Sequence, residues 1–154
     1  MKKILLLLWL SALPALAQQH IDRLLQLMQQ RLALAPTVAQ VKWNNHLPLE
    51  DPVREEQLLE KVPESDRPFL RAQFEASKAI QRQCRENWVR QNSGSFPSAP
   101  NLAEIRLQLD KVTGEMLQAL EEARPELGQP ELLEKALAKF PESDAWGRAL
   151  EPLR

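Results

Sequence analysis

Apolar residues recur at intervals of three and four along most of the chain, and that spacing leaves little choice of secondary structure. Ile21, Leu24, Leu25, Met28 and Leu32 set the pattern, the stripe of an amphipathic helix over about residues 19–34. The 154 residues include 28 leucines but only 4 glycines and no tyrosine, so the composition argues against a hairpin-rich β fold. Hydrophobic residues make up 44% and charged ones 27%, enough apolar surface for a packed core. The expectation is an all-α, single-domain bundle of about six helices.

Residues 1–17 stand apart from this pattern. Lys2 and Lys3 form a basic start, Ile4 to Leu10 an apolar core too short to span a bilayer, and Ala15-Leu16-Ala17 a small-residue cleavage site. These are the three parts of an export signal, which predicts a periplasmic or secreted protein and a mature domain over residues 18–154. Removing the signal takes away two lysines and leaves 137 residues with 18 basic against 21 acidic groups, a net charge of −3. Nucleic acid and anionic lipid both reward basic patches, so neither is expected as a partner, and no membrane association is expected once the signal is gone. Cys84 is the sole cysteine, so no internal disulfide can form. Neither His20 nor His46 stands at metal-ligand spacing from the other or from Cys84; no metal or cofactor is expected.

Pro36 interrupts the first stripe, and a near-continuous second helix is expected from Thr37 to about Asn45, followed by a turn over His46 to Glu50. Asp51-Pro52 is a helix start, since the carboxylate accepts from orphan amides and proline loses no bond in the first turn. That short helix should reach about Lys61. Ser65 or Asp66 should cap a long helix running to about Asn92, with an inner stripe of Leu70, Phe74, Ser77, Gln81, Cys84 and Trp88. Residues 92–100 read as a loop with a turn at Gly94. Asn101 and Glu104 form a capping box for a helix that should end near Arg124-Pro125. Two short helices, about 130–140 and 142–150, complete the chain. Residues 18–124 are the expected core unit and 125–154 a supporting C-terminal part.

Several polar residues stand where a plain bundle would place apolar ones. Arg31 and Lys42 are eleven residues apart, and eleven steps of about 100° return to within about 20° of the starting face. Arg54 occupies the first turn of a helix, against the dipole. Ser77 and Gln81 lie one turn apart on an inner stripe, where an unpartnered polar group costs about 1–3 kcal/mol. Arg106 sits between Ile105 and Leu109 on the following helix. Each has a structural explanation of its own, exposure for the cations and an internal polar network for Ser77 and Gln81. Together they propose a pocket between helices for a compact dianion with a neutral polar oxygen between its carboxylates.

The run from Arg31 through Val41-Lys42-Trp43 and Glu50-Asp51-Pro52-Val53-Arg54 to Ala76-Ser77-Lys78-Ala79-Ile80-Gln81 resembles the all-helical chorismate mutases, in particular their secreted, monofunctional subclass. The resemblance covers about residues 20–120. It implies an isomerase that converts chorismate to prephenate by intramolecular rearrangement, with the site between helices of one chain. By resemblance, Lys42 and Gln81 are the catalytic donors to the ether oxygen, while Arg31, Arg54, Arg106 and Ser77 hold carboxylates and Asp51 and Glu55 face the ring hydroxyl. Chorismate is then the small-molecule partner, with monomer or homodimer left open. In the cytoplasmic subclass one arginine comes from the partner chain; Arg106 stands where the secreted subclass supplies it from a later helix. Three departures are visible: no disulfide can form, some relatives have glutamate where Gln81 stands, and some have glutamine where Leu58 stands. The alternative, from a different class, is a non-catalytic periplasmic helical binding or chaperone-like protein, which would have no need of two donors converging on an uncharged oxygen.

Overall fold

The structure, a computed structural model, describes residues 13–154. The basic start and apolar core of the expected export signal lie outside the described residues, and the expected cleavage point at Ala17 falls in the first turns of the first helix. Among the described residues there are seven α-helices and no strand: α1 (Leu13–Ala33), α2 (Ala35–Asn44), α3 (Pro52–Leu59), α4 (Arg67–Arg90), α5 (Leu102–Leu127), α6 (Pro130–Leu137) and α7 (Asp144–Leu150). None is long and apolar enough to cross a membrane.

The three-and-four stripes meet in one main core. Ile21, Leu24, Leu25 and Met28 of α1 are fully buried against Phe69, Leu70 and Phe74 of α4 and Met116, Ala119, Leu120 and Ala123 of α5. Small residues at 119 and 123 let α1 and α5 approach closely over much of their length. Trp146 and Leu150 of α7 and Leu133 of α6 close the far end. Gln73, fully buried, donates to the Ala149 carbonyl at 2.9 Å and so fastens α7 to α4. A smaller cluster of Val38, Val41 and Ile105 joins α2 to α5. Between these two clusters the helices part.

Several boundaries differ from expectation. The break between α1 and α2 falls at Leu34, not Pro36, because proline is accommodated in the first turn of α2. His46, at φ 54°, ends that helix. Asp51 caps α3 as expected, accepting from the Arg54 amide. Neither Ser65 nor Asp66 caps α4 with its side chain. A 3-10 turn precedes that helix, and Asp66 is held instead by Arg124 of α5 at 2.8 Å and by the Ser65 hydroxyl at 3.0 Å. The expected capping box at Asn101 and Glu104 is formed in both directions. α5 runs through Pro125 to Leu127: a proline in the last turn forfeits a single bond, and Leu127 packs on the core. α6 stops at Leu137, before the expected end at 140, and α7 is capped by the Ser143 hydroxyl.

The inner stripe of α4 also ends sooner than its spacing implies. Ser77 and Gln81 are buried, but Cys84 and Trp88 are only half-buried. Trp88 packs on Phe96 at 4.5 Å and edge-on to Trp43 at 5.7 Å, and so anchors the 92–100 loop. Asn44 pins the same loop through two bonds of 2.8 Å to the Phe96 backbone. The left-handed turn falls at Asn92, φ 50°, and not at Gly94.

Candidate active site

Where α2, α3, α4 and α5 part, they enclose a cavity of about 330 Å³, within the range of small-molecule sites. All eight residues singled out in the sequence line it: Arg31, Lys42, Asp51, Arg54, Glu55, Ser77, Gln81 and Arg106. Its apolar wall includes Val38, Leu58, Phe74 and Ile105. No residue beyond Thr113 contributes, so the C-terminal helices support the site through α1 and α4 without lining it.

Arg31 enters from the last turn of α1, where a cation complements the helix dipole. It is 5% exposed and lies over the Phe74 ring at 5.3 Å. Its Nε donates to Thr113 Oγ1 at 3.0 Å and one terminal nitrogen to the Gln73 carbonyl at 3.2 Å. No carboxylate pairs with it among the described residues. Burial pulls its pKa from the ordinary arginine value down to about 10, opposed by the charges of Glu55 and Asp110, so at neutral pH it remains a buried cation with no ion-pair partner among the described residues.

Lys42, in the last turn of α2, donates to the carbonyl of Leu49 in the turn that follows. Burial lowers its pKa below the ordinary lysine value, against the pull of Asp51, Glu55 and Glu50. Gln81 Nε2 donates to Ser77 Oγ at 3.1 Å, while the Gln81 Oε1 is buried with no partner. The two cations nearer the surface are already paired. Arg54 Nη2 lies 2.5 Å from Asp110 Oδ1, and Arg106 Nη2 lies 3.0 Å from Asp51 Oδ2. Both pairs bridge α5 to the start of α3.

Three participants carried no role in the sequence reading. Thr113, which orients Arg31, lies four residues after Leu109 and three before Met116, but Val112 beside it already filled that turn of the apolar stripe. Asp110 follows Leu109 and gave no sign that it would face Arg54. Lys78 belongs to the quoted motif without a role of its own there, and it is only 8% exposed. Among the described residues no cluster of His, Cys, Asp and Glu could hold a metal ion.

The family model for chorismate mutase type II matches residues 19–82, which hold seven of the eight residues. A secreted chorismate mutase of Yersinia pestis is 28% identical over 132 residues, covering 79% of this chain and 70% of that protein. A monofunctional chorismate mutase of Enterobacter agglomerans is 30% identical over 103 residues, 60% of this chain and 56% of that protein. The crystal structure of a chorismate mutase from Burkholderia thailandensis superposes with a TM-score of 0.77 at 33% identity, over 88% of this chain and 99% of that one. Shared fold, shared sequence over nearly the whole of that solved chain, and a family match across the α1–α4 wall of the cavity lead to one conclusion: the chain belongs to the type II chorismate mutases.

Proposed function

We propose that the protein is an exported chorismate mutase that rearranges chorismate to prephenate inside this single-chain cavity, residues 18–124 forming its catalytic core. The observation that carries the reading is Arg31. A buried guanidinium without a counter-ion is costly, and a substrate carboxylate supplies the missing charge. The donors around it complete a site for a dianion: Arg54 and Arg106 exchange their present carboxylate partners for substrate, and Ser77 donates to a carboxylate.

The reaction breaks a C–O bond ahead of forming a C–C bond, so negative charge grows on the ether oxygen. It needs no nucleophile. The protein accelerates it by holding the compact conformer and by aiming preorganised donors at that oxygen. Lys42 donates from one side; its three protons allow it to keep the Leu49 carbonyl while doing so. Gln81 donates from the other. Gln81 Nε2 carries two protons, so one stays on Ser77 Oγ while the other is given to the ether oxygen, and the single Ser77 proton is left for a substrate carboxylate. Asp51 and Glu55 accept from the ring hydroxyl.

The test is the loss of chorismate absorbance with purified mature protein, alongside Lys42→Ala. Turnover by the wild type and its loss in Lys42→Ala support the reading; tight binding without turnover favours a non-catalytic binder. Export is tested separately by intact mass of periplasmic material, where a chain beginning near Gln18 is expected and one retaining Lys2 and Lys3 overturns it.

A further inference from the structure

The turn over residues 46–50 joins two walls of the cavity, and four cations from outside the turn hold it. Lys42 bonds the Leu49 carbonyl, Arg85 Nη2 the Leu47 carbonyl at 2.7 Å, Lys78 the Glu50 carboxylate at 3.1 Å, and Arg82 Nη2 lies 3.9 Å from the other Glu50 oxygen. Of these, Lys78 alone also reaches α3. Its ammonium lies 3.3 Å from Glu55 Oε2 and 2.7 Å from Glu75 Oε1, so each of its three protons has one carboxylate acceptor.

Glu50 and Glu75 are largely exposed, and pairs with them contribute little alone. Glu55 is different. Its side chain is 26% exposed and lines the cavity, and Lys78 engages one of its oxygens, leaving Oε1 without a partner among the described residues. Glu50 immediately precedes Asp51, so fixing Glu50 also fixes the entry to α3, the helix that Asp51 caps and that carries Arg54 and Glu55. Burial alone would lower the pKa of Lys78; hydrogen bonds to Glu75 and Glu50 and the charge of Glu55 outweigh it and raise the value above the ordinary lysine range.

We propose that Lys78 is a positioning residue for the mutase reaction: it fixes the Glu55 carboxylate so that its free oxygen accepts from the substrate's ring hydroxyl, and it ties the 46–50 turn to α4. This rests on the chorismate mutase reading and adds to it a residue that touches no reacting atom. A ring-hydroxyl contact is the same in the ground and transition states, so its loss appears mainly in KM.

The experiment is a double-mutant cycle on the full mature chain with chorismate, using Lys78→Met, Glu55→Gln and the pair. Lys78→Met should lower kcat/KM by about 10- to 50-fold, chiefly through KM, and by less than about threefold in the Glu55→Gln background. Equal losses in both backgrounds mean that Lys78 acts by general charge or by stability, and overturn the proposal. So does wild-type kinetics in Lys78→Met. Lys78→Gln, which keeps a donor, serves if Lys78→Met does not fold, and failure of both to fold makes Lys78 structural and also overturns it. An inert wild-type protein would instead overturn the mutase reading itself.

Discussion

Arg106, on α5, reaches across to Asp51, the residue that caps α3, with its Nη2 3.0 Å from Asp51 Oδ2. The other oxygen of Asp51 accepts from the Arg54 amide at 3.4 Å. One carboxylate therefore starts a helix and holds a cation at the cavity. Both side chains are more than a third exposed, so the ion pair contributes at most about 1 kcal/mol to stability. Arg106→Ala should leave the denaturant midpoint nearly unchanged while kcat/KM falls by about 10- to 100-fold, the loss of one charge-assisted contact to substrate. A kinetically silent variant would mean that the carboxylate is held by a cation from a second chain.

Asp110 holds Arg54 in the same manner, at 2.5 Å. A substrate carboxylate must compete with it. Asp110→Asn removes the competing charge and leaves a neutral acceptor in place, so KM should fall about two- to fivefold with kcat little changed. A higher KM would show that Asp110 is needed to aim Arg54 and that it does not compete with substrate.

Arg31 sets function against stability. Its charge is buried without a counter-ion, and the cost applies at every pH at which it is protonated, easing only above about pH 10, where burial places its pKa. Arg31→Met fills similar space without that cost. The variant should melt at or above the wild-type temperature in the absence of ligand. Its kcat/KM should fall by about 100-fold or more, and a dianionic substrate analogue should no longer raise its melting temperature. A loss of stability above about 2 kcal/mol would mean that the bonds to Thr113 and Gln73 are the main role of Arg31.

The helices were legible because burial of a three-and-four stripe is a strong, local signal; Ile21 to Leu32 could hardly be read otherwise. Boundaries were less so. Asp66 looked like a cap, yet a carboxylate near a helix start can equally pair with a distant arginine, and Arg124 is 58 residues away. Cys84 and Trp88 kept the spacing of the inner stripe but ran past the end of the core, and Trp88 packs instead on Phe96 of the 92–100 loop. The cavity residues stood out wherever a charge or amide interrupted an apolar stripe, as at Gln81. Lys78 and Thr113 stood beside stripe positions already filled by Ser77 and Val112, and their roles depend on which helices lie opposite, which is not written in periodicity.

Gln81 and Lys42 together set the expected pH dependence. A glutamine amide donates at every ordinary pH. Lys42 donates as long as it is protonated, and burial has lowered its pKa below the ordinary 10.5. Wild-type activity should thus be level through neutral pH and fall on the alkaline side earlier than an exposed lysine would cause. The charged form is the one that burial disfavours, so the folding penalty at Lys42 is present below its lowered pKa and relieved as the pH rises through it. Stability therefore does not account for the alkaline loss of activity. Gln81→Glu reverses the acid side. A glutamate has a reference pKa of about 4.3, raised where it is buried, and Gln81 is 4% exposed. At neutral pH its anion would face an oxygen that is becoming negative, forfeiting about 2.7–4 kcal/mol of transition-state stabilisation, or about 10²- to 10³-fold in kcat. Lowering the pH toward 5 should restore activity as the acid becomes protonated and donates. Wild-type kcat in Gln81→Glu at pH 7.5, with no gain on acidification, would place the amide away from the ether oxygen and leave it a partner of Ser77 alone.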